Sequence, residues 1–360
     1  MARNLLICFD GTWNTPDNDT DIEGSTDTNV RLFYEACANK DANGDSQLRW
    51  YDKGVGTSWY NRLSGGIFGV GLSRNIRQGY TWLAKNYQEG DDVYIIGFSR
   101  GSYTARSLVG MIRNCGLIKH KAQNPDRTEE LVSEAYQLYR ARDEGADSPA
   151  ALRFRSAYAH SIKIKFLGVW DTVGALGIPV NSFDWFNRRY YEFHDTELSS
   201  IVENAFHALA IDEHRENYKA TMWDPKEKPN QTMEQVWFVG AHSNVGGGYK
   251  THALSNVPLN WLIGKAKQCG MGFKAAKIPS ITKRNYTGKA IDSYEDFLGG
   301  LYRITRDRYF RPVGTTVNGK EGIHEAITER YKSDKKYRPK NAVGPHIEGL
   351  EDPAIGRIRA

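Results

Sequence analysis

Residues Val93–Arg106 read VYIIGFSRGSYTAR. An apolar run enters Gly97-Phe98-Ser99-Arg100-Gly101, and a helical pattern follows it. A strand that enters Gly-x-Ser-x-Gly and leaves as a helix is a nucleophile elbow, whose tight turn strains the serine backbone and projects its Oγ beyond the sheet. Gly97 and Gly101 must be small, because a Cβ at either position would strike the adjoining strand or helix. The N-terminus of the following helix favours negative charge developing beside it. The bland alternative is a strand-to-helix turn that carries an idle serine.

A serine hydroxyl needs a base, and the base needs an orienting carboxylate. Where such elbows occur, the chain order is Ser, then Asp or Glu, then His. The stretch IKIKFLGVWDTVGALG offers Asp171 at the end of an apolar run. The stretch EQVWFVGAHSNVGGGY offers His242 after another. Rival readings exist for both. Asp171-Thr172 also suits a helix cap or a turn. Asp212 and Glu213 are rival carboxylates, set aside because they follow a helical pattern. His207, His214, His252 and His324 are rival bases. His242 is preferred because it precedes Gly246-Gly247-Gly248, which permits close backbone approach.

Outward from the elbow, four segments read as buried strands: Leu5–Phe9, Asp92–Phe98, Lys163–Trp170 and Val236–Val239. Helical patterns lie between them, over Asn75–Asn86, Ser102–Ile112, Thr128–Arg142 and Leu198–Ile211. The alternation predicts an α/β fold with a mainly parallel sheet flanked by helices, whose ligands bind beyond the strands' carboxyl ends. One domain is expected over 1–360. Within it, 120–160 and 179–230 read as helical or lid insertions, and 299–360 as a wrapping tail. Gly65–Ile76, GGIFGVGLSRNI, reads as a flexible loop leading into a helix.

The bulk numbers agree with a large packed core, at 360 residues and 40% hydrophobic content. A net charge of +5 on 48 basic and 43 acidic residues is too small and dispersed to suggest nucleic-acid binding. It is compatible with peripheral contact to an anionic surface. The 4 cysteines lie in no Cys-x-x-Cys pair, so zinc-ligand spacing is absent and a reducing compartment fits. No secretory h-region and no membrane-length apolar run are present. A protein cytoplasmic as synthesised is expected, which leaves open export by a specialised secretion system. No cofactor or metal is expected; the spacing of the acidic stretch Asp17–Asp27 does not match a calcium loop.

Near the N-terminus, ICFDGTWN (Ile7–Asn14) is spelled like the opening of aspartate-nucleophile phosphatases. That chemistry needs a second Asp two positions before Asp10, and Cys8 stands there. The alternative places Asp10-Gly11-Thr12 on the same sheet edge as Ser99. Gly11 and Thr12 then offer N–H groups to an oxyanion alongside Arg100, and Asp10 braces the loop. A plain strand-ending turn is the competing reading. The run GGGYKT is no phosphate loop, because Tyr249 separates Gly248 from Lys250.

Together CFDGTWN, DKGVGT, GFSRG, VWDTVGALG, AIDEHR, WFVGAHSNVGGGY and the late IHEAITERY and YRP resemble the α/β-hydrolase-like catalytic domain of type VI secretion phospholipase effectors. The resemblance spans nearly the whole chain. It implies a serine esterase acting on lipid acyl esters, with Ser99, Asp171 and His242 as triad and DGTWN near the oxyanion hole. The family often has Asp where Asn244 stands. The expected partner is a lipid or other small ester, and Trp185 and Phe186 are candidates for an apolar wall or lid, against simple packing. A thioesterase, amidase or acyltransferase on the same triad, or a binding scaffold, are the alternatives.

Overall fold

The computed structural model describes residues 2–11, 27–54, 65–120, 124–141, 145–174, 197–223, 228–296, 300, 302–317, 320–344 and 347–348. The strands are β1 (Asn4–Phe9), β2 (Gln47–Asp52), β3 (Asp92–Phe98), β4 (Leu117–Ile118), β5 (Ala159–His160), β6 (Phe166–Trp170), β7 (Asn204–Ala210), β8 (Thr232–Phe238), β9 (Glu321–Ile323) and β10 (Ile347–Glu348). Eight of them form one sheet in the order β10-β9-β8-β7-β6-β3-β1-β2. Every neighbouring pair in it is parallel. Such a sheet is covered on both faces, so its strands read as continuous apolar runs.

The strand period of two sorts the side chains. Leu5, Ile7, Phe9, Val93, Ile95, Leu167 and Val169 share one core. Into it pack α2 (Gly65–Asn86), α3 (Arg100–Cys115) and α4 (Pro125–Arg140). Leu6, Cys8, Tyr94, Ile96, Phe98 and Trp170 share the other core. There the cover is α1 (Asn29–Ala36) and the long helix Asn256–Gln268.

Strand order fixes where a site can form. The chain leaves β1 through α1 to β2 on one side, then crosses through α2 to β3 on the other. The connections diverge between β1 and β3, and in open parallel sheets a crevice opens at the carboxyl ends of such a pair. Asp10 follows β1 and Ser99 follows β3 at that point.

Three expectations are corrected. Leu198–Ile211 is not helical, because β7 occupies Asn204–Ala210 and pairs with both β6 and β8. A short run of NAFHALA, buried on both faces, shows no alternation to separate strand from helix. The same finding removes 204–210 from the expected insertion at 179–230, and it places Asp212 and Glu213 after a strand. Second, Gly65–Ile76 is no loop; it is the start of α2. Glycine lowers helix propensity by roughly 1 kcal/mol each, but Leu72 and Ile76 are buried in the core and tertiary packing overrides that cost. Gly79 lets α2 approach β1, since a Cβ there would lie 2.6 Å from the Phe9 ring. Third, the tail at 299–360 does more than wrap: β9 and β10 extend the sheet. Within 120–160, α4 and α5 (Pro149–Tyr158) form a helical excursion closed by the antiparallel pair β4 and β5. No helix among the described residues is long and apolar enough to cross a membrane.

Candidate active site

Ser99 joins β3 to α3 with φ 58° and ψ −122°. A positive φ at a residue with a side chain is strained, by about 1–3 kcal/mol, so the surrounding structure must enforce it. The glycines show how. A Cβ on Gly97 would lie 2.5 Å from Gly101 O, and one on Gly101 would lie 2.2 Å from Phe9 O. The elbow is also tied to β6, because Trp170 O accepts from Ser99 N at 3.0 Å and from Ser102 Oγ at 2.9 Å. Trp170 immediately precedes Asp171, so one residue sets the position of both Ser99 and Asp171.

His242 opens the short helix α6 (His242–Gly246) beyond β8. Its Nε2 is 2.8 Å from Ser99 Oγ, and its Nδ1 is 2.5 Å from Asp171 Oδ2. The structure therefore brings Ser99, His242 and Asp171 into one hydrogen-bonded chain. The imidazole is held between the rings of Phe98 and Tyr218, with centroids 4.6 and 5.1 Å away. Gly246 makes room for Phe98, since a Cβ there would lie 1.9 Å from that ring. Asn244 Oδ1 accepts from the N–H groups of Ala241 and Ile291, both at 3.2 Å. An Asp carboxylate at this position would accept the same pair.

Asp171 is fully buried, with φ 40°. Ala210 N donates to its Oδ1 at 2.9 Å, and Arg311 donates to both oxygens. Burial alone would raise its pKa; the Arg311 charge and the His242 hydrogen bond win and hold it well below the usual carboxylate range. Next to it, Thr172 N donates to His207 Nε2 at 3.0 Å. Burial, helped by Arg106, pushes the His207 pKa down to about 3. His207, a rival for the base, is thus a neutral acceptor that fixes the loop carrying Asp171.

Two further residues reach the site: Glu213, which the sequence reading set aside as a rival carboxylate, and Arg311, which it did not single out. Glu213 Oε2 accepts from His242 N at 3.2 Å and from Ser293 Oγ at 2.9 Å. Glu213 is also paired with Arg215 through two contacts of 2.9 Å. Burial would raise its pKa, but Arg215 overcomes that and holds it at about 2. The signal was present in AIDEHR, had that stretch been placed after a strand. Arg311 lies in the tail's RYFR run, where nothing local marks it as part of a site.

The N-terminal loop divides. Asp10 is buried, and accepts from Gly11 N at 2.7 Å, from Thr28 Oγ1 at 2.6 Å and from the Tyr51 hydroxyl. Gly11 sits against the nucleophile, where a Cβ would lie 3.5 Å from Ser99 Cβ. Its N–H donates to Asp10 Oδ1. Arg100 begins α3 beside Ser99. Thr12, Trp185 and Phe186 lie outside the described residues.

Compared with known proteins, residues 3–265 match the family described as "T6SS, Phospholipase effector Tle1-like, catalytic domain". The uncharacterized protein YEL023C of Saccharomyces cerevisiae is 29% identical, over 62% of this chain and 33% of its own length. Two solved structures are similar in part. One is the Tle1 effector bound to the VgrG spike of the type 6 secretion system, with 21% identity, a TM-score of 0.38, and coverage of 69% of this chain and 52% of the other. The second is an uncharacterized protein from Pseudomonas aeruginosa, with 16% identity, a TM-score of 0.42, and coverage of 86% and 51%. The matched stretch thus spans a third to about half of each relative's length.

Proposed function

This chain belongs to the family of type VI secretion phospholipase effector Tle1-like catalytic domains, and from that premise we propose a serine ester hydrolase that cleaves lipid acyl esters through an acyl-enzyme. The observation that carries the reading is the chain Ser99–His242–Asp171, with contacts of 2.8 and 2.5 Å at the carboxyl ends of parallel strands.

In this reading His242 Nε2 takes the proton of Ser99 as Oγ attacks the ester carbonyl. The negative oxygen of the tetrahedral intermediate receives the Arg100 N–H at the start of α3, and Thr12 is the proposed second donor. His242 then gives its proton to the leaving alcohol, and the acyl group remains on Ser99. Water, deprotonated by the same nitrogen, attacks the acyl-enzyme and releases the acid. Asp171 holds the imidazole with Nδ1–H toward itself, leaving Nε2 free to accept. Trp185 and Phe186 are proposed to wall the acyl chain, and peripheral contact with a lipid surface delivers it.

Hydrolysis of nitrophenyl esters of graded chain length, and of phospholipid vesicles, tests the proposal. Fatty acid is released from the vesicles, longer acyl chains are preferred, and Ser99→Ala lowers kcat roughly 10³-fold or more. A Ser99→Ala protein as active as its parent would move the chemistry to another residue.

A further inference from the structure

Arg311 sits where a charge has consequences for the base. It is 1% exposed, although it comes from the segment after the helical turn Tyr302–Thr305. Its Nη1 donates to Asp171 Oδ1 at 2.6 Å and to Ala210 O at 2.8 Å. Its Nη2 donates to Asp171 Oδ2 at 3.0 Å and to Tyr218 O. The backbone is pinned as well, because Asn341 Nδ2 donates to Arg311 O at 2.9 Å and to Ile211 O at 3.1 Å. Oδ2 is the same oxygen that His242 Nδ1 approaches at 2.5 Å.

A triad carboxylate has two tasks: it orients the imidazole, and it stabilises the imidazolium. A bidentate guanidinium helps the first by fixing the carboxylate plane. It opposes the second, because the carboxylate charge is already matched. The other groups around His242 do not offset this. Glu213 and Arg215 form a pair of their own. Burial keeps His207 neutral, with Arg106 acting on it in the same sense. Tyr218 presents its ring. Asp171, Arg311, Glu213 and Arg215 together therefore sum to no net charge, and removing Arg311 leaves one negative charge in excess beside the imidazole.

We infer that Arg311 is a positioning residue that locks Asp171 in place and, by matching its charge, weakens the pull of that carboxylate on the imidazole of His242. The inference rests on the hydrolase reading for its consequence in catalysis. It does not rest on that reading for its effect on the imidazole.

The test compares Arg311→Gln and Arg311→Lys with the parent. Two quantities are followed: the acid limb of kcat/KM for a nitrophenyl ester, and the titration of His242 by NMR with ¹³C-labelled histidine, assigned by its loss in His242→Asn. Arg311→Gln raises both midpoints by about one pH unit, roughly a tenfold loss of activity at a fixed acidic pH. Arg311→Lys keeps the midpoints near the parent's but lowers kcat several-fold, because an ammonium cannot span both oxygens. Unchanged midpoints in a folded Arg311→Gln protein overturn the inference. If that variant does not fold, Arg311→Lys decides: kcat equal to the parent's overturns it. If no variant and no parent hydrolyses any ester, the hydrolase reading falls and the NMR titration still judges Arg311.

Discussion

At the scale of single residues, the site is a lesson in which carboxylate does what. Three acids lie near His242, Asp171 and Glu213 buried and Asp212 half-buried, and their partners separate them. Asp171 takes the imidazole Nδ1. Glu213 takes the backbone N–H of the same histidine. Asp212 accepts from Gly240 N at 2.7 Å, and shapes the turn before His242. Of the three, only Asp171 contacts the imidazole ring. Glu213 acts through the backbone, so its replacement should disturb placement more than protonation. Glu213→Gln leaves the buried Arg215 without its counter-charge and should cost about 3 kcal/mol in urea unfolding, since breaking a buried pair strands a charge. It should lower kcat roughly tenfold through misplacement of the base, and the acid limb of the pH profile should move to lower pH, because Arg215 is left as an excess positive charge near the imidazole. A variant as stable and as active as the parent would deny Glu213 this role.

At the scale of elements, the carboxyl ends of β1 and β2 and the start of α1 are fastened by Asp10. Its carboxylate accepts from the loop after β1 (Gly11), from the cap of α1 (Thr28) and from β2 (Tyr51). Thr28 in turn caps α1 by accepting from Arg31 N at 3.2 Å. All three partners donate to a charged acceptor here; an amide keeps one oxygen for them and meets the Thr28 and Tyr51 hydroxyls with weaker neutral bonds. Asp10→Asn should lose about 1–3 kcal/mol of stability, and activity should fall because Gly11 and its neighbours no longer stay against Ser99. Equal melting temperature and equal kcat would remove the bracing role. The elements that the sequence made legible were those with sharp local chemistry. β3, its glycine-flanked serine and α3 could be read because the elbow demands particular residues at fixed positions. β1, β6 and β8 could be read as apolar runs ending at polar residues. β7 could not, because an alanine-rich strand buried on both faces carries no period. β2 was missed because half-exposed Arg49 and Trp50 break the apolar run. Asp171 and His242 were legible from chain order. Arg311 was not, because 140 residues separate it from Asp171 and only the fold brings them together.

At the scale of the whole molecule, His207, which is buried, and His324, which is half-buried, set the response to acid. Burial pushes the pKa of His207 down to about 3 and that of His324 down to about 4, from an ordinary 6.5. Between those values the unfolded chain binds protons that the folded chain refuses, so stability is fully present above about pH 6.5 and is lost as pH falls. Glu213, held at about 2 against an ordinary 4.5, adds stability above 4.5 that is lost on further acidification. Asp212 works the other way, because burial raises its pKa and its contribution is present at low pH and lost as pH rises. The histidines and Glu213 act together. The urea midpoint should therefore be level above about pH 6.5 and decline toward pH 4. His324→Asn keeps an acceptor for Ala326 N, which His324 Nδ1 meets at 3.1 Å, and should shallow that decline. A midpoint that is constant through this range would contradict the account.

The central claim is that Ser99 is a nucleophile activated by His242, and labelling tests it without any choice of substrate. The protein is treated with a fluorophosphonate, its intact mass is measured, and the modified peptide is sequenced. The account predicts one phosphonyl group per chain, on Ser99, formed quickly in the parent and at least about 10³-fold more slowly in His242→Ala. An unlabelled parent, or a label that sits elsewhere and forms equally fast without His242, would contradict it.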